Sequence, residues 1–286
     1  GIEERAMKTR YRRAILVLSL LTMTGCSSTS FLYNRLDFII PWYVDNYVDL
    51  NREQKRTLDQ LLDPFLAWHR SEELPAYLPL LDEMESMLDS DVSAVQLEAL
   101  VVDAETAWQR VEARALEWMI ALGEELSDEQ MQEFMQELRD KQEEYEEKYL
   151  TRSDEEYHED AYDNLKDSAQ DYLGRLDWGQ RTTFEEAAGK LQRSDAIWLR
   201  ERAAWLDRLE DILQREPGWQ QSLRDTLGER EQTTSVEYRE VYEHNATVLY
   251  AAVAKVLNTR DPKQDKRLRS KIRDLREDLE GLIAKQ

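Results

Sequence analysis

The residue with the clearest chemistry is Cys26, the one cysteine in the 286 residues. It follows two small residues, Thr24 and Gly25, and a short apolar stretch, residues 14–23. Basic residues precede this stretch: Lys8, Arg10, Arg12 and Arg13. A run of about 10 apolar residues is too short to cross a bilayer as a mature helix. The order is typical of a bacterial lipoprotein export signal, in which the cysteine thiol is acylated.

This interpretation divides the chain into three parts. We expect residues 1–25 to be a signal peptide, with translation starting at Met7, and residues 26–30 to be the lipidated Cys26 with a short tether. Residues 31–286 would form a single elongated helical domain. Two or three acyl chains would hold it on a membrane, since each buried CH₂ adds about 0.8 kcal/mol. Because Ser27 rather than aspartate follows the cysteine, the periplasmic leaflet of the outer membrane is favoured.

Few other residues have the types and spacing that catalysis or metal binding requires. Glu155 and His158 have the spacing found in di-iron bundles, but such a site needs a second motif and facing glutamates. Asp195 lies on a predicted helical seam, and a pair of acids could hydrolyse glycans. With 60 acidic residues, however, nothing singles out a pair. We therefore predict no enzyme, no cofactor and no metal site, with a cell-wall glycan hydrolase as an alternative.

The net charge of −22 restricts the partners. Nucleic acids need a basic footprint, so nucleic-acid binding is not expected. Cationic peptides and basic protein faces remain suitable. We expect a membrane contact through the acyl chains on Cys26 and a protein partner whose identity the sequence does not indicate.

The elements that position these residues are predicted to be helices throughout. Nine glycines and six prolines leave long stretches of good helix formers. In residues 93–123 an apolar seam repeats in steps of four and three, as in a helix packed lengthwise on another. Further helices are expected over residues 51–70, 75–88, 127–173 (one helix, or two with a hinge), 177–215, 219–227, 233–258 and 262–285. The fold class is all-α, an elongated multi-helix bundle with long antiparallel helices.

Three of these helix starts share a pattern of leucine, a capping residue and a glutamine three positions later. The glutamines are Gln54, Gln130 and Gln180. The pattern resembles an element of a family of small periplasmic helical chaperones. Unequal spacing excludes a tandem repeat, so we interpret it as capping chemistry, in which the glutamine reaches back to the cap.

Residues 31–50 are the least polar part of the chain after Cys26. The candidate interaction residues here are Phe31, Tyr33, Arg35, Asp37, Trp42, Tyr43 and Tyr47. Amphipathic aromatic side chains prefer the headgroup boundary of a membrane. We favour the alternative that this segment is a first helix buried in the bundle, with Arg35 paired to Asp37 or Asp45, because an anionic leaflet would repel the aspartates.

The same segment resembles the opening signature of an uncharacterised proteobacterial lipoprotein family. The matching residues are Tyr33-Asn34-Arg35-Leu36-Asp37, Pro41-Trp42-Tyr43 and Asp45-x-Tyr47-Val48-x-Leu50, leading to Gln54. The signature spans about 25 residues directly after the cysteine. The resemblance implies an anchored helical protein and adds no catalytic residue.

Two charged segments are further candidates. Residues 140–160 are strongly acidic, with Tyr145 and Tyr149 interleaved. They are interpreted as a solvated extension of the bundle or as an arm for a basic partner. Residues 263–286 carry a positive surplus beside an apolar seam and are expected to dock on a neighbouring helix, for example that acidic arm.

These patterns predict a lipid-anchored periplasmic protein that binds or organises other envelope components without catalysis. The alternative is a holder of unfolded envelope clients, which would need an exposed apolar or methionine-rich face. The candidates for that face are Met84, Met87, Met119, Met131 and Met135.

Overall fold

The computed structural model describes residues 26–285, and the predicted signal peptide lies outside them. These residues form helices joined by short connections, and no strand occurs among them. The helices are α1 Cys26–Tyr33, α2 Leu36–Val44, α3 Arg52–Trp68, a π-helix His69–Glu73, α4 Leu74–Met87, α5 Ala94–Glu125, α6 Asp128–Leu150, α7 Asp154–Leu173, α8 Trp178–Lys190, α9 Asp195–Ile212, α10 Trp219–Gly228, α11 Arg230–Thr233, α12 Val236–Asn258 and α13 Pro262–Ile283. The predicted all-α fold class is confirmed.

The long helix α5 connects the apolar cores of the molecule. It has 32 residues and therefore runs for about 48 Å. Near its start, Leu97 and Val101 belong to a core shared with α4, α7, α8, α12 and α13. Near its end, Leu116 and Trp118 belong to two cores built with α3, α6, α9 and α10.

Neighbouring helices pack antiparallel. Between α3 and α5, Gln54 bonds to Glu125 at one end and Arg110 bonds to Glu73 near the other. Between α4 and α13, Arg269 pairs with Asp89 while the later Arg276 pairs with Asp82. The order of these contacts along each helix confirms the predicted antiparallel packing for these two pairs.

Two glutamine pairs join helix starts that are far apart in the sequence. Gln54 and Gln130 each cap their own helix and exchange amide hydrogen bonds of 2.8 Å with one another. Gln180 and Gln264 repeat the arrangement at 2.9 Å, joining α8 to α13. The capping interpretation of the three predicted starts is confirmed, and Asp261 with Gln264 forms a further box of the same kind.

A π-helix interrupts the regular helical ladder several residues after Pro64. Pro64 lies inside α3, which continues through the π-helix into α4. At the end of the π-helix the amide of Leu74 donates to the carbonyl of His69, five residues back. The next residue, Pro75, has no amide hydrogen, so the ordinary ladder is interrupted at the same point.

The predicted long helix over residues 177–215 is wrong, because the chain breaks between α8 and α9. The backbone amide of Gln192 donates to the side chain of Asn245 on α12, which returns a bond to the Gln192 carbonyl. The 127–173 segment is also two helices, the second capped by Ser153 with Glu156. Arg152 pairs with Asp195 and Arg193 with Asp154, so ion pairs hold the two breaks together.

The N-terminal and C-terminal segments differ in part from expectation. Residues 26–30, predicted as a tether, lie within α1. The apolar seam of α13 is buried as expected, including Ile272 and Leu282. Its basic flank does not meet the acidic 140–160 segment but pairs with acids of α4 and the connection that follows it.

Candidate functional site

Three aromatic side chains of α1 and α2 point to solvent. Phe31 is 58% exposed, Phe38 67% and Trp42 60%. We call these three residues the aromatic face. Arg35 lies over the ring of Phe31 at 5.0 Å from its centroid, so a cation accompanies the exposed rings. Large exposed aromatic groups on adjacent short helices cost hydration free energy unless something covers them.

The prediction that residues 31–50 are buried is therefore wrong for α1 and α2 and holds only for the end of the segment. Helix α2 has no buried residue, whereas Tyr47, Val48 and Leu50 are buried. The expected pairing of Arg35 with an aspartate is absent, and Asp45 instead lies 3.8 Å from Lys55. Because this segment is apolar on all sides, its sequence did not indicate which side would face the bundle.

A hydrogen-bonded chain at the π-helix attaches α1 to the bundle. The Tyr33 hydroxyl lies 2.9 Å from Nδ1 of His69, and the Tyr77 hydroxyl lies 3.1 Å from Nε2. Glu73 is buried and accepts two bonds from Arg110 and one from Tyr77. Since the carboxylate only accepts, Tyr77 donates to Glu73 and accepts from the histidine, and Tyr33 donates to Nδ1. Every group in this chain is satisfied.

Burial determines the protonation of this chain. It lowers the pKa of His69, against the smaller opposite effect of Glu73. It also raises the pKa of Tyr33 to about 12 and raises that of Tyr77. The neutral forms of these groups are favoured, which is consistent with a positioning network that fixes α1.

A large cavity lies between α5, α6, α9 and α10, with Tyr43 and Tyr47 also in its lining. We call it the tryptophan cavity, and its volume is about 380 Å³. Five of the eight tryptophans line it: Trp108, Trp118, Trp198, Trp205 and Trp219. Apolar cavities of this size are typical of sites for small organic ligands.

Polar groups occur at particular points in the wall of the tryptophan cavity. The indole N–H groups of Trp108 and Trp118 are buried and find no acceptor among residues 26–285. Arg208, an exposed lining residue, lies over Trp205 at 6.0 Å, and no carboxylate of the described chain pairs with it. Arg230 is different, because Glu112 holds it through two bonds.

Tyr145 and Tyr149 do not belong to a free acidic arm. Their rings lie 5.8 and 6.0 Å from Trp198, and Arg202 lies over Tyr145. The acidic side chains around them face solvent, as expected, but the tyrosines attach α6 to α9. They support one wall of the tryptophan cavity through Trp198.

The candidate metal and catalytic residues are separated. His158 bonds to the carbonyl of Leu191 and His244 to that of Lys190. No group of three potential metal ligands occurs in the described part of the chain. Asp195 is buried and held by Arg193 and Arg152.

None of the helices within residues 26–285 has the length and apolar composition required to cross a membrane.

The fold and site together define an all-α bundle with an apolar cavity and an exposed aromatic face. The chain belongs to a family of unknown function (DUF6279), whose model matches residues 46–239, more than half of the chain. The match includes the four helices around the cavity and excludes α1, α2 and α13. Comparison with curated proteins and with solved structures gives no match.

The tryptophan cavity was not predicted from the sequence. Trp108 and Trp118 fall in the predicted apolar seam of residues 93–123, and Trp198 and Trp205 fall in the helix predicted over residues 177–215. The available signal was the number of tryptophans at seam positions, since such bulky side chains are difficult to pack without leaving space between helices.

Proposed function

We propose that this protein is a non-enzymatic binding or organising component of the bacterial cell envelope, anchored by acyl chains on Cys26. The periplasmic leaflet of the outer membrane is its favoured location. The observation that carries the proposal is the aromatic face, which begins five residues after Cys26. At 1.5 Å per helical residue, Phe31 lies about 7.5 Å along the helix from that cysteine.

Because this distance is short, a membrane is the binding partner that best suits the aromatic face. Acyl chains on Cys26 would hold α1 at the bilayer surface, where aromatic side chains are favoured. Arg35 stacks on Phe31, so a cation lies beside the exposed rings in a segment whose aspartates Asp37 and Asp45 are also exposed. We therefore propose that α1 and α2 lie at the headgroup region and orient the bundle above it.

The alternative functions have less structural support. Met131 and Met135 are buried, and Met84, Met87 and Met119 are packed against the cores, so these methionines form no open face for unfolded clients. Asp195, the acid considered for glycan hydrolysis, is engaged by two guanidinium groups. Binding is accordingly preferred to both client holding and hydrolysis.

The anchor is tested with the substitution Cys26→Ser in cells. The variant should lack acylation and appear uncleaved or in the soluble fraction. A correctly cleaved variant that stays with membranes after a high-salt wash would show that lipid is not the anchor.

The aromatic face is tested separately with unacylated protein and phosphatidylethanolamine–phosphatidylglycerol vesicles. Replacing Phe31, Phe38 and Trp42 by serine should reduce sedimentation with the vesicles. The matched control is Trp178→Ser, which removes an exposed tryptophan from α8, where the side chain is 75% exposed. Equal losses in the two variants would contradict a membrane role for α1 and α2.

A further inference from the structure

The tryptophan cavity has the form of a ligand site, and nothing in the anchoring proposal accounts for it. Its volume of about 380 Å³ lies in the range of small-molecule sites. Its walls are mainly indole, tyrosine and aliphatic side chains, most of them from α5, α6, α9 and α10. Such a lining favours an apolar body and disfavours a sugar or a nucleotide, whose many polar groups would lose their hydration there.

Arg208 indicates the charge of the ligand's head group. It is an exposed residue of the cavity lining, and the two acids nearest to it in sequence, Asp207 and Glu210, are paired with Arg139. An unpaired guanidinium is suited to a carboxylate or phosphate oxygen. In a chain of net charge −22, other parts of the surface would repel such an anion.

We infer that the tryptophan cavity binds a single-chain amphiphile, with its acyl chain among the indoles and its anionic oxygen head at Arg208. The chemistry is shared by a free fatty acid and by a lysophospholipid. The inference goes beyond membrane anchoring and does not depend on it, because the cavity is formed by residues of the bundle itself.

Bromine quenching of tryptophan fluorescence tests this binding directly. A background with Trp42, Trp68 and Trp178 replaced by phenylalanine leaves emission from the five cavity tryptophans. Dibrominated stearate and a brominated lysophosphatidylglycerol are titrated separately below their micelle concentrations. Saturable quenching by either ligand supports the inference and identifies the source. An absence of quenching by both, or quenching only by a brominated apolar peptide, overturns it.

A cavity-filling variant shows whether quenching comes from this cavity. A β-carbon at Gly123 would lie 3.4 Å from Met131 and from Trp219, so Gly123→Leu should fill space between two lining side chains. The matched control is Gly281→Leu, since nothing lies within 4 Å of a β-carbon there. Gly123→Leu should abolish saturable quenching while the control retains it, with both melting cooperatively. Equal quenching in the two variants would contradict binding in this cavity.

The head-group assignment is tested with Arg208→Gln. Affinity for the brominated carboxylate should fall by up to about fivefold, as for one exposed ion pair. Affinity for the brominated alcohol of the same chain should be unchanged. The matched control is Arg273→Gln, an exposed residue of α13 outside the cavity. An equal effect of Arg208→Gln on acid and alcohol would overturn the assignment of the anionic head.

Discussion

At the scale of single residues, the most constrained group is the imidazole of His69. It lies between the hydroxyls of Tyr33 and Tyr77, and burial lowers its pKa. Through the bond to Tyr33, His69 therefore fixes the position of α1, the helix that begins at the proposed lipidation site. Tyr33 belongs to the signature that the sequence suggested as functional, and its observed role is to hold α1 on the π-helix.

This network predicts a loss of stability on mild acidification. A histidine with a folded-state pKa below its ordinary value binds fewer protons when folded, so stability falls as the pH drops below about 6.5. Glutamine does not titrate, so the melting temperature of the variant His69→Gln should fall less between pH 7.5 and 5.5 than that of the wild type.

The control for this prediction is His244→Gln, which removes an exposed ring that bonds to the Lys190 carbonyl. It should keep the pH dependence of the wild type. If His69→Gln also keeps that dependence, the imidazole does not couple protonation to folding.

At the scale of helices, the two glutamine pairs form the clearest repeated device. Each glutamine caps its own helix and also bonds to the partner helix, so helix starts separated widely in sequence are joined. Gln180 and Gln264 are both buried, which makes an unpaired amide costly there.

The substitution Gln180→Ala should lower the free energy of unfolding by about 1–3 kcal/mol, because it leaves the amide of Gln264 without its partner. The matched substitution is Gln96→Ala, in a capping box that is exposed and has no partner glutamine. It should cost less than about 1 kcal/mol. Equilibrium unfolding in urea measures both, and equal costs would show that the pair adds nothing to capping.

Helix α13 gives a second prediction at this scale. Its apolar seam should dominate its docking, since Leu282 is fully buried while Arg276 pairs with exposed or half-buried acids of α4. Leu282→Ala should cost about 2–5 kcal/mol, independent of salt. Arg276→Gln should cost less than about 1 kcal/mol, and less again in high salt. A larger cost for the arginine would make the charges dominant.

At the scale of the whole molecule, local sequence patterns predicted the helices better than they predicted the contacts between helices. Capping residues and apolar steps of four and three indicated most helix starts. The helix break at residues 191–194 could not be predicted from the neighbouring sequence, because it depends on Asn245, which lies 53 residues after Gln192. The tryptophan cavity required the same long-range information, since its indoles come from α5, α9 and α10.

The exposed aromatic face could not be predicted either, and the reason differs from that for the tryptophan cavity. Its segment has apolar residues on every side, so the pattern did not separate the surface that packs on α3 from the surface that faces outward. The combined account places α1 and α2 between a proposed membrane and the bundle, with the tryptophan cavity bordered by Tyr43 and Tyr47.

The most direct test of this account is the mass of the mature N-terminal peptide from protein purified out of bacterial membranes. The account predicts a chain that begins at Cys26, with a diacylglyceryl group on the thiol and the mass of the acyl chains added. A mature chain beginning elsewhere, or one with an unmodified Cys26, would contradict lipid anchoring and the membrane orientation built on it.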